Sequence, residues 1–122
     1  MPNGQKPLNF VSSSPRDGAT DVSPNLRTIV LNFDKNVVDD SVWSNNRTQI
    51  KLFRNSTRVG IRVLRSSVFA NRQKIYVRPI NRLRSFSDYK VVILPNLTAK
   101  NGEKLGKTVT INFQTGSRFI EE

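Results

Sequence analysis

Arg27-Thr28-Ile29-Val30-Leu31-Asn32-Phe33 alternates strictly, with Ile29, Leu31 and Phe33 on one side and Thr28, Val30 and Asn32 on the other. A period of two with three large apolar residues on one face is the pattern of a strand that covers a core. The same pattern recurs outward from this stretch. On the N-terminal side, Leu8-Asn9-Phe10-Val11 reads as a short strand closed by Ser12-Ser13-Ser14, and residues 15–25 read as a loop of turn formers bracketed by Pro15 and Pro24. On the C-terminal side, Asp39 to Trp43 suits one helical turn, its acids near the positive end. Strands are then expected at Ile50–Phe53, over Val59, Ile61 and Val63, and over Ile75 and Val77 up to Pro79. Two more are expected at Tyr89–Leu94 and over Val109, Ile111 and Phe113, with Asn101-Gly102 as a tight turn between them. Seven short strands and no helix-length periodic segment predict an all-β, two-sheet antiparallel sandwich.

The chain has 122 residues, 20 of them Lys or Arg against 9 Asp or Glu, for a formal charge of +11. One domain accounts for that length. Residues 1–7 read as a linker, 8–115 as the sandwich and 116–122 as a C-terminal tail or linker. With no His and no Cys, the chain has no Ser-His-Asp or Cys-His nucleophile, no His-based acid–base pair and none of the usual zinc or copper ligands. Two carboxylates could still hydrolyse a glycoside. Five of the nine acids, however, fall in the turns of the first forty residues and two at the C-terminus. The expectation is a non-enzyme with no cofactor. No apolar run approaches a membrane span, and Met1 to Lys6 lacks the apolar core of a signal peptide.

The loop Ser14-Pro15-Arg16-Asp17-Gly18-Ala19-Thr20-Asp21-Val22-Ser23-Pro24-Asn25, leading into Ile29 to Val37, resembles the opening of bacterial Ig-like domains of the S-layer and adhesin type. Ile75-Tyr76-Val77-Arg78-Pro79 with Leu83 and Tyr89-Lys90-Val91 is similar to a later segment of that family, and Asn101 to Leu105 with Ile111 to Thr115 to its closing one. The resemblance covers about Phe10 to Thr115. It implies a non-catalytic structural or adhesion module of a bacterial cell-surface protein, extracellular or in the envelope, with neighbouring domains as partners. Tyr89, six residues after Leu83, is similar to the tyrosine corner of Ig-type sandwiches, in which the phenol bonds upstream backbone. The opening also resembles copper-binding domains of the copper-resistance type. Those hold copper through histidines, which this chain lacks, so copper is not carried over.

Charge is distributed regionally. Arg47 to Lys90 holds twelve basic residues and one acid, a balance of +11, so the remaining eight basic and eight acidic residues cancel. Alternation places Arg58 and Arg62 outside if Val59, Ile61 and Val63 point inward. It places Lys74, Tyr76 and Arg78 outside if Ile75 and Val77 point inward. Arg58, Arg62, Lys74, Tyr76 and Arg78 are therefore the candidate polyanion-binding residues. Nine of the twelve are Arg, whose fork suits phosphate, sulfate or carboxylate. A solvated face kept charged for solubility is the competing reading. A stand-alone polyanion-binding β protein, taking nucleic acid or acidic polysaccharide, is the alternative to a surface module that meets anionic cell-wall or extracellular polymers. Sequence-specific DNA binding is not expected without a groove-reading helix.

Other candidates are weaker. Trp43, beside Asn45 and Asn46, reads either as a cap on the core or as a sugar-stacking platform. Asp17, Asp21, Asp34, Asp39 and Asp40 could offer oxygens to calcium, yet no known loop spacing fits and each has a turn or capping role.

Overall fold

The alternating segments build two facing sheets in the computed structural model, which describes residues 7–116. The linker expectations for residues 1–6 and 117–122 lie outside the described residues. In chain order the elements are β1 (Phe10–Ser14), β2 (Ala19–Val22), β3 (Ile29–Phe33), α1 (Asp40–Asn46), β4 (Ile50–Arg54), β5 (Thr57–Val59), β6 (Ile61–Leu64), a 3-10 turn (Phe69–Asn71), β7 (Lys74–Pro79), β8 (Asp88–Ile93) and β9 (Val109–Thr115). One sheet runs β1-β3-β7-β6 and the other β2-β9-β8-β4-β5. The core lies between them. Ile29, Leu31, Phe33, Ile75 and Val77 of the first sheet are buried, as are Ile50, Leu52, Tyr89, Val91, Ile93, Ile111 and Phe113 of the second. Each such side chain contributes roughly 1.5–3 kcal/mol through burial.

The two-sheet sandwich is as the alternation predicts and its all-β, Ig-like kind is as the resemblance implies, with three corrections. First, the expected loop 15–25 contains β2, which pairs parallel with β9 (Ala19 opposite Phe113, Val22 opposite Thr115), so the sheets are not wholly antiparallel. The strand is hidden in the sequence because it is four residues long and contains Asp21 at φ 58°. Second, the single strand expected over Val59–Val63 is two. β5 pairs with β4 in one sheet and β6 pairs with β7 in the other, so the chain changes sheets at Gly60. An unbroken alternation cannot reveal this, because both sheets bury the same parity of residues. Third, the first strand is shifted to Phe10–Ser14, where its serines lie along the edge beside β3. The expected helical turn is the seven-residue α1, capped by Asp39 accepting from the Ser41 N–H.

The described ends of the chain lie at opposite ends of the sandwich. Asn9 is tied to Asp34, just past the end of β3: the Asp34 N–H donates to the Asn9 carbonyl at 3.1 Å and the Asn9 N–H to Asp34 Oδ1 at 2.9 Å. Gly116 is tied to the other end, donating to the Val22 carbonyl at 2.9 Å and accepting from the Phe86 N–H at 3.0 Å. Glycine is required there, since a Cβ at position 116 would lie 2.8 Å from Asp21 Cα.

Candidate functional site: an arginine-lined end of the sandwich

Tyr89 organises one end. It is 3% exposed, stacks on Phe113 with ring centroids 5.4 Å apart, and its hydroxyl accepts from the Arg84 N–H at 2.8 Å. This is the tyrosine corner expected from the sequence. The Thr115 hydroxyl donates to the Arg84 carbonyl, so both backbone groups of Arg84 are fixed. With Leu83 buried, residues 82 and 84 are turned outward and both are exposed.

Two adjoining clefts open around this loop. One, of about 780 Å³, lies over the ends of β6 and β7 and is lined by Arg27, Arg62, Arg78 and Arg82, together with Leu26 and the exposed apolar side chains of Leu64 and Ile80. The other, of about 420 Å³, is lined by Arg54, Arg58, Arg82 and Arg84. Asn81 and Arg82 border both, and among the described residues no acid lines either. Arg62 and Arg78 are directly opposite each other across β6 and β7.

The five residues singled out in the sequence do not form one flat patch. Arg62 and Arg78 share the larger cleft, while Arg58 lies in the smaller one, on a strand of the other sheet. Lys74 and Tyr76 sit further down β7, outside both clefts. The Lys74 ammonium donates to Asn32 Oδ1 at 2.8 Å, and Tyr76 is half-buried opposite Val30 and Leu64. The physical reason is the sheet change at Gly60. It sends Arg58 and Arg62 to different sheets while keeping both near the loop 80–84. Arg27 was missed because it lies outside the basic segment and reaches the cleft only through the fold. Arg82 and Arg84 carried a usable signal, since a buried Leu83 before a corner tyrosine forces its neighbours outward.

The remaining candidates have structural partners. Asn46 is fully buried, donating to the carbonyls of Val37 (2.8 Å) and Thr98 (2.7 Å) and accepting from the Thr98 N–H (2.9 Å). Trp43 packs partly buried against the core, with the Arg65 guanidinium 5.3 Å from its ring centre. Arg65 also donates to the Val38 carbonyl and pairs with Asp40, each contact 2.7–2.8 Å. That arrangement fits a core cap; the sugar-platform reading would need an uncovered ring and free amides. The loop acids are likewise engaged: Asp17 accepts from the Asn112 N–H, and Asp34 from Asn9. Burial works to raise the Asp34 carboxyl, but the Asn9 backbone and side-chain N–H groups and nearby Lys35 hold it below the usual carboxylate value. The Ser41 hydroxyl and N–H hold Asp39 low in the same way, helped by Lys100. Among the described residues, no group of three or more His, Cys, Asp or Glu is placed to hold a metal ion, and no helix is long and apolar enough to cross a membrane.

Two packed sheets closed by a tyrosine corner define an Ig-like β-sandwich module. The chain belongs to the bacterial Ig-like domain family, whose profile matches residues 4–115. None of the curated proteins is a detectable sequence relative. Among solved structures, the fold is similar to part of domains 1-6 of surface layer protein SbsC (TM-score 0.63, 16% identity), covering 91% of this chain and 14% of that one. It is also similar to CopC from Methylosinus trichosporium OB3b (TM-score 0.63, 11% identity), covering 94% of this chain and 98% of that one. A third similar structure is the native conformation of E. coli alpha-2-macroglobulin (TM-score 0.63, 18% identity), with 92% of this chain and 6% of that one covered.

Proposed function

We propose that this Ig-like domain is a non-catalytic connecting module of a bacterial cell-surface protein that presents a basic surface to anionic polymers. The observation that carries the reading is the placement of Asn9 and Gly116 at opposite ends of the sandwich. Tension applied at the two ends passes through paired strands rather than through a loop, which is what a spacer between domains requires. The likeness to SbsC domains, of which this chain spans 14%, supports a surface setting. The regional +11 supports attraction to polyanions, because a potential of one sign concentrates and steers oppositely charged chains. An independent polyanion-binding protein is the second reading, favoured by a lining of the two clefts that holds arginines and no acid among the described residues.

Antibody against the folded domain, applied to intact and to lysed cells of the source bacterium, tests the surface setting. Labelling of intact cells is expected. Labelling only after lysis would overturn the surface module and favour the independent protein.

A further inference from the structure

Among the described residues, seven arginines, no lysine and no acid line the two clefts. A face kept charged only for solubility mixes signs and both cations. Six of the seven, Arg27, Arg54, Arg58, Arg62, Arg78 and Arg84, make no ion pair or side-chain hydrogen bond among the described residues. The ion pairs that do form there are Asp40 with Arg65 and Asp39 with Lys100, at the α1 end. Arg62 directly opposite Arg78 is a like-charge pair, an arrangement that costs stability in a sheet. The clefts therefore gather guanidinium forks from the loop before β3, from β4, β5, β6 and β7, and from the loop whose Arg84 backbone is fixed by the Tyr89 and Thr115 hydroxyls. Six of those forks have no counter-charge among the described residues.

We propose that the paired clefts bind a flexible polymer of phosphate groups. Arg27, Arg62 and Arg78 would grip it on one side of Asn81 and Arg82, and Arg54, Arg58 and Arg84 on the other. The proposal deepens the reading of a surface that meets anionic polymers and rests on it. Arginine in place of lysine suits oxyanions that accept two parallel N–H bonds, phosphate among them, and a polycarboxylate arm in the test separates phosphate from carboxylate. Two adjoining concave clefts suit a narrow chain that passes from one to the other better than the flat end of an acidic domain. Among the described residues, bases of a nucleic acid have nothing to stack on in either cleft, since the one aromatic lining them is Tyr89, which is buried and stacked on Phe113.

The test is binding of inorganic polyphosphate, followed by anisotropy across a salt series. Polyglutamate and a single-stranded oligonucleotide of matched charge are the comparison arms. Six contacts predict a log–log salt slope of about −4 by the scale set for flexible single strands, and Arg62→Gln with Arg78→Gln should flatten it by about 1.4. Arg62→Lys with Arg78→Lys, which keeps the charge and loses the forks, should weaken binding about tenfold. Lys104→Gln with Lys107→Gln, equal in charge and at the opposite end of the sandwich, should change it less than about twofold. Arg27→Gln with Arg58→Gln is a second cleft pair, one residue in each cleft, and should act like the first.

Equal weakening by the Lys104 and Lys107 pair would overturn the site in favour of net charge. Unchanged binding by the lysine replacements would overturn the forked grip, and equally tight binding of polyglutamate would overturn phosphate as the ligand chemistry. A tighter grip on the oligonucleotide would show that bases are read, contrary to the proposal. Absence of polyphosphate binding at low salt would overturn the clefts as a site, and intact-cell labelling would still report separately on the surface module.

Discussion

Replacing Asn46 by Ala removes the clamp that ties the segment after β3 to the loop after β8. The side chain is 0% exposed and serves three backbone groups: the Val37 carbonyl at 2.8 Å, the Thr98 carbonyl at 2.7 Å and the Thr98 N–H at 2.9 Å. Each buried group left without a partner costs about 1–3 kcal/mol. Water entering the vacated space offsets part of the sum, so a loss of about 3 kcal/mol is expected. For a domain of this size that corresponds to a fall in Tm of roughly 10–15 °C. Urea unfolding monitored by Trp43 fluorescence gives the free energy, and calorimetry gives Tm. Asn45→Ala is the control. That side chain is exposed, and its longest-range bond is a single donation to the Asn96 carbonyl at 2.8 Å, so the loss should stay below about 1 kcal/mol. Asn46→Asp refines the test, because it turns a carboxylate toward two carbonyl oxygens. Burial and those dipoles raise its folded pKa above the unfolded value. The variant therefore binds a proton more tightly when folded, and its deficit relative to wild type should shrink as pH falls and grow toward neutrality. A loss under about 1 kcal/mol for Asn46→Ala would refute the clamp.

Further outcomes follow from the same geometry. Tyr89→Phe keeps the stack on Phe113 and loses the acceptor for the Arg84 N–H, and should cost about 1–2 kcal/mol in urea unfolding; an unchanged midpoint would mean that water replaces the hydroxyl. Arg62→Glu converts a like-charge pair with Arg78 into an opposite-charge pair, and should raise stability by about 0.5 kcal/mol while weakening polyphosphate binding. A fall in stability would show that the two arginines do not repel in the folded chain. Acid should destabilise the wild type through Asp34 and Asp39. Both carboxyls are held below the ordinary 3.8 in the folded state, so their contribution is complete above that value and is lost as pH drops through the lowered folded values. The urea midpoint should therefore decline below about pH 4, and a midpoint that rises there would contradict the assignment.

The core was legible because its carriers alternate without interruption. Ile29, Leu31 and Phe33 name one sheet, and Tyr89, Val91 and Ile93 the other. The corner role of Tyr89 was also legible, since it needs only a tyrosine at a strand start and an upstream loop. What the sequence concealed was the sheet to which each strand belongs. Val59 and Ile61 continue one alternation across Gly60, although β5 and β6 pair with different neighbours. The candidate site inherits that ambiguity. Arg62 and Arg78 could be paired from parity alone, but Arg27 joins them from a loop thirty-five residues before Arg62. Asn46 read as a polar neighbour of Trp43, and only the approach of Thr98 from fifty-two residues away makes it a core residue.

The most direct test of the central claim observes the arginine side chains themselves. Nitrogen-15 spectra of the Nε–H groups, recorded during titration with inorganic polyphosphate near physiological salt, should show Arg58, Arg62 and Arg78 shifting together and saturating. Arg65, held by Asp40 and the Val38 carbonyl, should stay in place. Shifts spread evenly over all arginines, or confined to residues outside the two clefts, would contradict the site.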